Sequence, residues 1–221
     1  MKLFGHDTSP YVRRVRALLH ELGAECDRDT AGWMEPSAAM LEANPIAKVP
    51  ALEVNENGQD LVLVDSKTIA DWLLARHGVK VSAPASPPFQ ATLFHPAHRY
   101  EDENVLTIAD AALDSAIQIF LFERDKITPE TAPYLKRQNE RVGKCLAWLD
   151  ARYADRVTLH DDVLSFIDLG LYCALDWFEF RKRLDFSSYR NLVAFKSAQK
   201  QRASLAATDP RAAEDKMTAK K

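Results

Sequence analysis

Two short segments carry groups that could bind a small charged ligand. In the first, Val49 precedes Pro50 at the start of a strand-like stretch. Proline has no N–H and an X-Pro bond can be cis, so this turn would leave the backbone groups of Val49 free to pair with an extended peptide. In the second, Asp65 and Ser66 open an apolar-periodic helix. A carboxylate can bind an ammonium there, and a hydroxyl with helix N–H groups can bind a carboxylate, so a zwitterionic peptide would fit.

A third segment, Ser9-Pro10-Tyr11, stands where the first helix is predicted to begin. Pro10 suits the first helical position, so the hydroxyl of Ser9 would lie at the positive end of the helix. A hydroxyl there can stabilise a thiolate, the reactive form of a thiol whose ordinary pKa is about 8.5. A plain helix cap is the alternative for Ser9, and for Asp65 with Ser66 as well.

The first eighty residues alternate between strand and helix patterns. Strands are predicted at 2–4, weakly within 24–29, at 51–54 and at 61–64, and helices from Pro10 to Gly23, at 37–42 and at 66–77. The last two strands flank Asn55-Glu56-Asn57-Gly58, which is typical of a hairpin turn. The order β-α-β-α-β-β-α is that of a thioredoxin-like domain.

The rest of the chain is predicted to be helical. Residues 80–97 are rich in proline and form a predicted linker. Apolar residues then recur at helical spacing over 98–210, and Ser165 with Asp168 is a capping-box variant that would begin a buried helix. Residues 211–221 are charged and predicted to be disordered. The fold class is therefore α/β plus all-α, with an N-terminal thioredoxin-like domain over 1–79 and an all-helical C-terminal domain.

Composition disfavours several classes of function. The net charge is −3, from 29 basic and 32 acidic residues, so no strong field would attract nucleic acid or an anionic membrane. No apolar run approaches the roughly 20 residues of a membrane span. The first residues have the pattern of a strand rather than that of a signal peptide, so a cytoplasmic protein is expected. Cys26, Cys145 and Cys173 are expected to be buried thiols, and His95 and His98 linker histidines, so no metal site is predicted.

The three segments at Ser9, Val49-Pro50 and Asp65-Ser66 resemble, in order and spacing, those of the soluble (cytosolic) glutathione S-transferase family. The form they resemble is serine-type and bacterial-like. Farther along, Ser165 to Asp168 is similar to the internal capping box of that family, and Tyr189 to Ser204 to its last long helix. The resemblance covers nearly the whole chain. It departs at Asp162, three residues before Ser165, where the family usually has glycine.

The resemblance implies that glutathione binds in the first domain and a small, mostly apolar electrophile between the domains. Ser9 would then be catalytic and stabilise the sulfur, and Val49 would pair with the cysteinyl backbone. Asp65 and Ser66 would hold the γ-glutamyl end. Lys48, next to the turn, could bind the glycyl carboxylate or be an ordinary exposed lysine.

Three further candidates near the sulfur are Thr8, Tyr11 and Arg13, of which Arg13 belongs to a basic cluster with Arg14 and Arg16. Glutathione would be a co-substrate, with no other cofactor implied, and a homodimer is expected. Two alternatives remain open at this point. One is a glutathione-dependent peroxidase or isomerase, which uses the same thiolate. The other is a non-catalytic binding or stress-regulatory protein of the same fold.

Overall fold

The computed structural model describes residues 1–30, 36–78, 87–160 and 163–213. The chain divides into two compact units, Met1–Leu93 together with the stretch that begins at Gln201, and Phe94–Lys200. These bounds differ from the predicted domains of 1–79 and 98–210. The reason is that Arg202 donates hydrogen bonds to the carbonyl of Pro87 and the carboxylate of Glu21, which ties the late chain to the first unit. Most of the predicted tail, from residue 214 on, lies outside the described residues, as do residues 80–86 of the predicted linker.

The described elements follow in chain order. The first unit contains β1 (Lys2–Phe4), α1 (Pro10–Leu22), β2 (Asp27–Asp29), α2 (Ala38–Ala43), β3 (Ala51–Glu56), β4 (Gln59–Val64) and α3 (Ser66–His77). The second contains α4 (Arg99–Arg124), α5 (Pro133–Arg152), α6 (Phe166–Phe180) and α7 (Arg190–Gln199). A short α8 (Ala203–Ala207) belongs to the first unit again.

The first unit is thioredoxin-like, as predicted. Its sheet has the order β2-β1-β3-β4, with β1 and β2 parallel and the other neighbours antiparallel. Leu3, Leu52 and Leu63 pair across three strands and are buried. Neighbouring side chains in a strand point to opposite faces, so Phe4 and Ala51 pack on the other side, with Met40 of α2.

The hairpin between β3 and β4 confirms the turn prediction. Asn57 and Gly58 have φ of 55° and 82°, the left-handed pair that a two-residue turn between antiparallel strands requires. Asn55 adds a side-chain acceptor for the backbone N–H of Gly58, at 3.1 Å. Local chemistry alone therefore fixes the register in which β4 returns beside β3.

The second unit is all-helical, also as predicted. Its α6 is buried along almost its whole length and begins with the predicted capping box. The Ser165 hydroxyl accepts the N–H of Asp168, and the Asp168 carboxylate accepts that of Ser165. Asp162 lies outside the described residues, so its effect on this helix start stays a prediction.

Among the described helices, α4 is long and apolar enough, by length and composition, to cross a membrane. The sequence-based expectation that no apolar run approaches the length of a membrane span is therefore wrong for α4. The core helix of a soluble protein passes the same test, and α4 packs on α5 and α6 within the second unit.

The prediction of one last long helix from Tyr189 to Ser204 is wrong. The chain forms two helices, α7 and α8, with Arg202 in extended conformation (φ −64°, ψ 130°) before the second. Arg202 and Ser204 both bond to the buried carboxylate of Glu21, and α8 packs on α1. These contacts stabilise the break, which falls where the chain returns to the first unit.

Candidate functional site

The sheet brings the three predicted segments to one of its ends. Phe4, the last residue of β1, pairs with Ala51, the first of β3, and Ala51 pairs with Val64, the last of β4. The loop to Ser9 leaves β1 at this row, Val49-Pro50 enters β3 at it, and Asp65 follows β4 directly. The Phe4–Ala51–Val64 row therefore gathers groups that lie up to 57 positions apart in the sequence, from Ser9 to Ser66.

Ser9 caps α1, as the plain alternative predicts, and its hydroxyl is an acceptor in that contact. Its hydroxyl oxygen lies 3.4 Å from the backbone N–H of Val12, and its carbonyl accepts the N–H of Arg13 at 2.9 Å. The hydroxyl only accepts in the contact with Val12, so its own proton can be donated elsewhere. Pro10 occupies the first helical position, as predicted. Capping and anion stabilisation are therefore compatible at this residue.

Gly5 allows the loop at Val49-Pro50 to approach α1 closely. The sequence analysis did not predict this role for Gly5. Its φ is 135°, and a Cβ there would lie 2.4 Å from Cγ2 of Val12 and 2.9 Å from Cβ of Val49. A side chain at position 5 would push the Val49 segment away from the start of α1. An isolated glycine directly after a short strand was the available signal, since such glycines often mark close backbone approach.

Charged residues hold the loop between Gly5 and Ser9. Arg28 donates to the carbonyl of Gly5 at 2.8 Å and to the carboxylate of Asp7 at 2.9 Å, and Arg16 lies 3.1 Å from the same carboxylate. Thr8, a secondary candidate, pairs its hydroxyl with Nδ1 of His6 at 2.8 Å. The loop is thus fixed by contacts within the first unit.

The Val49-Pro50 peptide bond is cis. Considering only described partners, neither the N–H nor the C=O of Val49 pairs with another backbone group, which agrees with the predicted peptide-binding edge. Buried Asn44 supports the loop by donating to the carbonyl of Lys48 at 2.6 Å and accepting from the N–H of Ile46. Lys48 itself is exposed, so its ammonium is accessible to a ligand or to solvent.

Asp65 and Ser66 begin α3 and have different surroundings. Asp65 is exposed, has a positive φ of 73°, and accepts the N–H of Lys67 at 2.7 Å. Ser66 is buried, and its hydroxyl oxygen accepts two N–H groups from Arg14, at 3.0 Å from Nε and 2.6 Å from Nη2. The structure therefore adds Arg14 to the candidate site residues. The sequence analysis placed Arg14 only in the basic cluster with Arg13 and Arg16.

Comparison with known proteins agrees with this arrangement. The family described as "Glutathione S-transferase, N-terminal domain" matches residues 3–85, and "Glutathione S-transferase, C-terminal domain" matches residues 132–195. The chain belongs to the glutathione S-transferase family.

Individual relatives cover nearly the full chain. The "Uncharacterized GST-like protein YibF" of Escherichia coli is 26% identical over 82% of this chain and 84% of its own. A glutathione S-transferase from Methylobacillus flagellatus, solved with glutathione bound, is 25% identical at a TM-score of 0.77, over 95% of this chain and 98% of that one.

A family member from Pseudomonas fluorescens has been solved in two liganded states. With glutathione bound it is 28% identical at a TM-score of 0.72, over 95% of this chain and 98% of that one. With S-(propanoic acid)-glutathione bound, the TM-score is 0.70 at the same identity, over 94% and 97%. Relatives of this glutathione transferase-family chain thus bind both glutathione and a glutathione conjugate.

Within this family member, the basic residues of α1 have separate roles. Buried Arg13 donates to the carbonyl of Leu205 at 3.2 Å and so contacts α8, whereas the residue seen to contact Ser66 is Arg14. The guanidinium of Arg14 also lies 4.8 Å from the ring centre of Tyr11. Arg13 therefore has a structural contact, and its role toward a ligand stays a prediction, whereas Arg14 lies between two candidate site residues.

The protein's own thiols do not have the character of activated nucleophiles. Burial raises the pKa of the Cys26 thiol, and burial also raises the pKa of Cys145, although nearby Arg141 partly opposes that shift. Cys173 is buried as predicted, while the other two are only half-buried. Neither of the half-buried thiols, Cys26 and Cys145, is therefore shifted toward the thiolate form.

His95 and His98 belong to a cluster in the second unit, so the expectation of plain linker histidines is wrong. The ring of His98 stacks on that of His160 at 4.6 Å, and Nε2 of His160 lies 2.5 Å from the buried carboxylate of Asp102. Asp102 also accepts the backbone N–H of His95 at 2.6 Å. In the part of the chain that the structure describes, no three His, Cys, Asp or Glu side chains form a group that could hold a metal ion.

Proposed function

We propose that this chain is a serine-type glutathione transferase, which adds the thiolate of glutathione to a small, mostly apolar electrophile. The observation that carries the proposal is the Phe4–Ala51–Val64 row, because it brings Ser9, Val49-Pro50 and Asp65-Ser66 to one end of one sheet. The relatives solved with glutathione and with a conjugate support the same ligand.

Each part of glutathione has a complementary group in the first unit. The backbone of Val49, which has no partner among the described residues, would bond to the cysteinyl residue, as an added strand does at a sheet edge. The carboxylate of Asp65 would bind the γ-glutamyl ammonium, and the hydroxyl of Ser66 the γ-glutamyl carboxylate. The exposed ammonium of Lys48 would bind the glycyl carboxylate.

In the proposed reaction, the thiol of bound glutathione releases its proton to water, and Ser9 stabilises the thiolate that remains by donating its hydroxyl proton in a hydrogen bond to the sulfur. The positive end of α1 adds to this stabilisation. The sulfur lone pair then forms a carbon–sulfur bond with the electrophile. If the electrophile carries a leaving group, that group departs with its bonding electrons. If the electrophile is an activated double bond, the carbon next to the attacked one takes up a proton from water.

Ser9→Ala tests this mechanism. A hydrogen bond to a charged group contributes about 1.5–3 kcal/mol, so turnover with a chlorodinitrobenzene should fall about ten- to a hundred-fold. Glutathione affinity should stay within a few-fold, and the pH–rate profile should move to higher pH because the bound thiol would ionise less readily.

Ser37→Ala is the matched control. Ser37 caps α2 in the same unit, accepts the N–H of Met40 at 3.1 Å and donates to Asp29 at 2.7 Å, so its loss removes a helix cap without removing any group proposed to contact glutathione. We expect normal turnover for that variant. If Ser9→Ala conjugates as fast as the parent with an unchanged pH profile, thiol activation lies elsewhere, and Thr8 and Tyr11 are the next residues to test.

A further inference from the structure

We infer that Arg14 is a positioning residue for the carboxylate at the γ-glutamyl end of the ligand, and that it acts through the hydroxyl of Ser66. This inference rests on the function proposed above. It assigns a role to a buried residue of α1 that would not itself touch the ligand.

The geometry directs the hydroxyl proton of Ser66. A serine hydroxyl has one proton to donate and two lone pairs to accept with. Arg14 places Nε at 3.0 Å and Nη2 at 2.6 Å from this one oxygen, so the accepting side of Ser66 is filled from the α1 side. The proton of Ser66 is then left to point away from Arg14, where a carboxylate can accept it.

Charge acts in the same direction as geometry. The guanidinium of Arg14 stays protonated at any ordinary pH, and here only 1% of the residue is exposed. A hydroxyl that accepts from a cation becomes a stronger donor, because hydrogen bonds in a chain polarise one another. Only the Ser66 side chain would separate a carboxylate bound there from the buried positive charge of Arg14. Water screens such a buried charge poorly.

A purely structural role predicts a different result, since Arg14 also joins α1 to α3. The two roles can be separated with two probes, glutathione and 4-aminobutanoyl-cysteinyl-glycine. The second peptide lacks only the γ-glutamyl carboxylate. Binding of each by calorimetry to the full chain reports whether Arg14 serves that one group.

We expect Arg14→Met to weaken glutathione binding about ten- to a hundred-fold and to change binding of the decarboxylated peptide less than about three-fold. Ser66→Ala should give a similar loss, and the double variant should be little worse than either single one, because both residues serve one contact. Arg14→Lys retains the charge and one donor, so it should restore part of the affinity for glutathione and is the fallback if Arg14→Met does not fold.

Arg76→Met is the control on α3, since Arg76 lies in the last turn of that helix, pairs with Glu56 and should leave both affinities near those of the parent. The inference is overturned if the Arg14 variants weaken both peptides equally, which is the result for a structural strut, or if they weaken neither. A parent chain that binds no glutathione overturns the proposed function and this inference with it. A parent that binds glutathione while the Arg14 variants bind it equally well overturns only the inference.

Discussion

Asp65 combines a backbone conformation that few residues tolerate with a carboxylate exposed at the start of α3. Its φ of 73° with ψ of 134° lies outside the left-handed helical region in which Asp and Asn are enriched, and costs a non-glycine residue on the order of 1–3 kcal/mol. The bond to the N–H of Lys67 needs only an oxygen acceptor, which the amide of Asn also has. The negative charge of Asp65 is therefore not required for the cap bond, and the function proposed above gives that charge a role in binding the γ-glutamyl ammonium.

Asp65→Asn should separate the two roles of this residue. We expect glutathione affinity to fall by about 1.5–3 kcal/mol, the contribution of a charge-assisted hydrogen bond, while stability to urea stays within about 0.5 kcal/mol of the parent. Asp65→Ala, which loses the cap as well, should in addition destabilise the fold by about 1 kcal/mol. Unchanged affinity of Asp65→Asn in calorimetry would reduce Asp65 to a helix cap.

Sequence reasoning predicted the candidate site residues that can be recognised from their immediate neighbours in the chain. Ser9 before Pro10, Val49 before Pro50 and Asp65 at a helix start each have a local chemical reason. The contact of Arg14 with Ser66 spans 52 positions, and the approach of Gly5 to Val49 spans 44, so no local pattern reveals either. Such pairs are set by how strands and helices pack.

At the scale of elements, the buried carboxyl group of Asp168 holds the start of α6 in place by hydrogen bonds. Asp168 accepts hydrogen bonds from both the N–H and hydroxyl of Ser165, from the N–H of Leu159, and from the hydroxyl of Tyr153 at 2.9 Å. Burial raises the pKa of the Asp168 carboxyl, although these bonds oppose the shift. Burial, and next the Asp168 carboxylate, raise the pKa of the Tyr153 phenol well above its ordinary value.

The shift at Tyr153 predicts a loss of stability in alkali. An unfolded tyrosine ionises near pH 10, whereas the folded Tyr153 keeps its proton, so above about pH 10 the unfolded state binds fewer protons. The free energy of unfolding should then fall with rising pH, by at most about 1.4 kcal/mol per pH unit from this group. Below pH 10 both states are protonated and Tyr153 adds no pH dependence.

Tyr153→Phe isolates this contribution. At pH 7 the variant should lose about 1–3 kcal/mol, since Asp168 loses a buried donor. Between pH 10 and 11 its urea-derived stability should fall less steeply than that of the parent. Equal slopes in the two proteins would mean that Tyr153 ionises in the folded state as it does in the unfolded one.

Element boundaries were predictable where a cap or a turn marks them. The hairpin at Asn57-Gly58, the helix from Ser66 to His77 and the capping box at Ser165 all lie where the sequence placed them. The break between α7 and α8 was not predictable, because its cause is Glu21, 181 positions from Arg202. The family resemblance predicted one continuous helix, whereas a buried ion pair with a distant residue stabilises the break.

At the scale of the whole molecule, we expect a homodimer, as members of this family usually form. Large apolar side chains of the first unit remain exposed in the single chain, with Ile46 at 60%, Leu41 at 47% and Leu61 at 41%. Burial of such groups favours association. Light scattering should give twice the 24.9 kDa mass of the chain. A mass of one chain at all micromolar concentrations would contradict this expectation.

The return of the chain at Gln201 also has a consequence for the order of events during synthesis. Domains usually fold as they leave the ribosome, the N-terminal one first. Here Glu21 is buried and receives Arg202 and Ser204, so its charge has these partners only after nearly the whole chain has been made. A chain that ends before Arg202 also lacks α8, which packs on α1 in the complete protein. The unit that is translated first should therefore reach its full stability last, and a ribosome-bound chain that stops before Arg202 should leave it sensitive to protease.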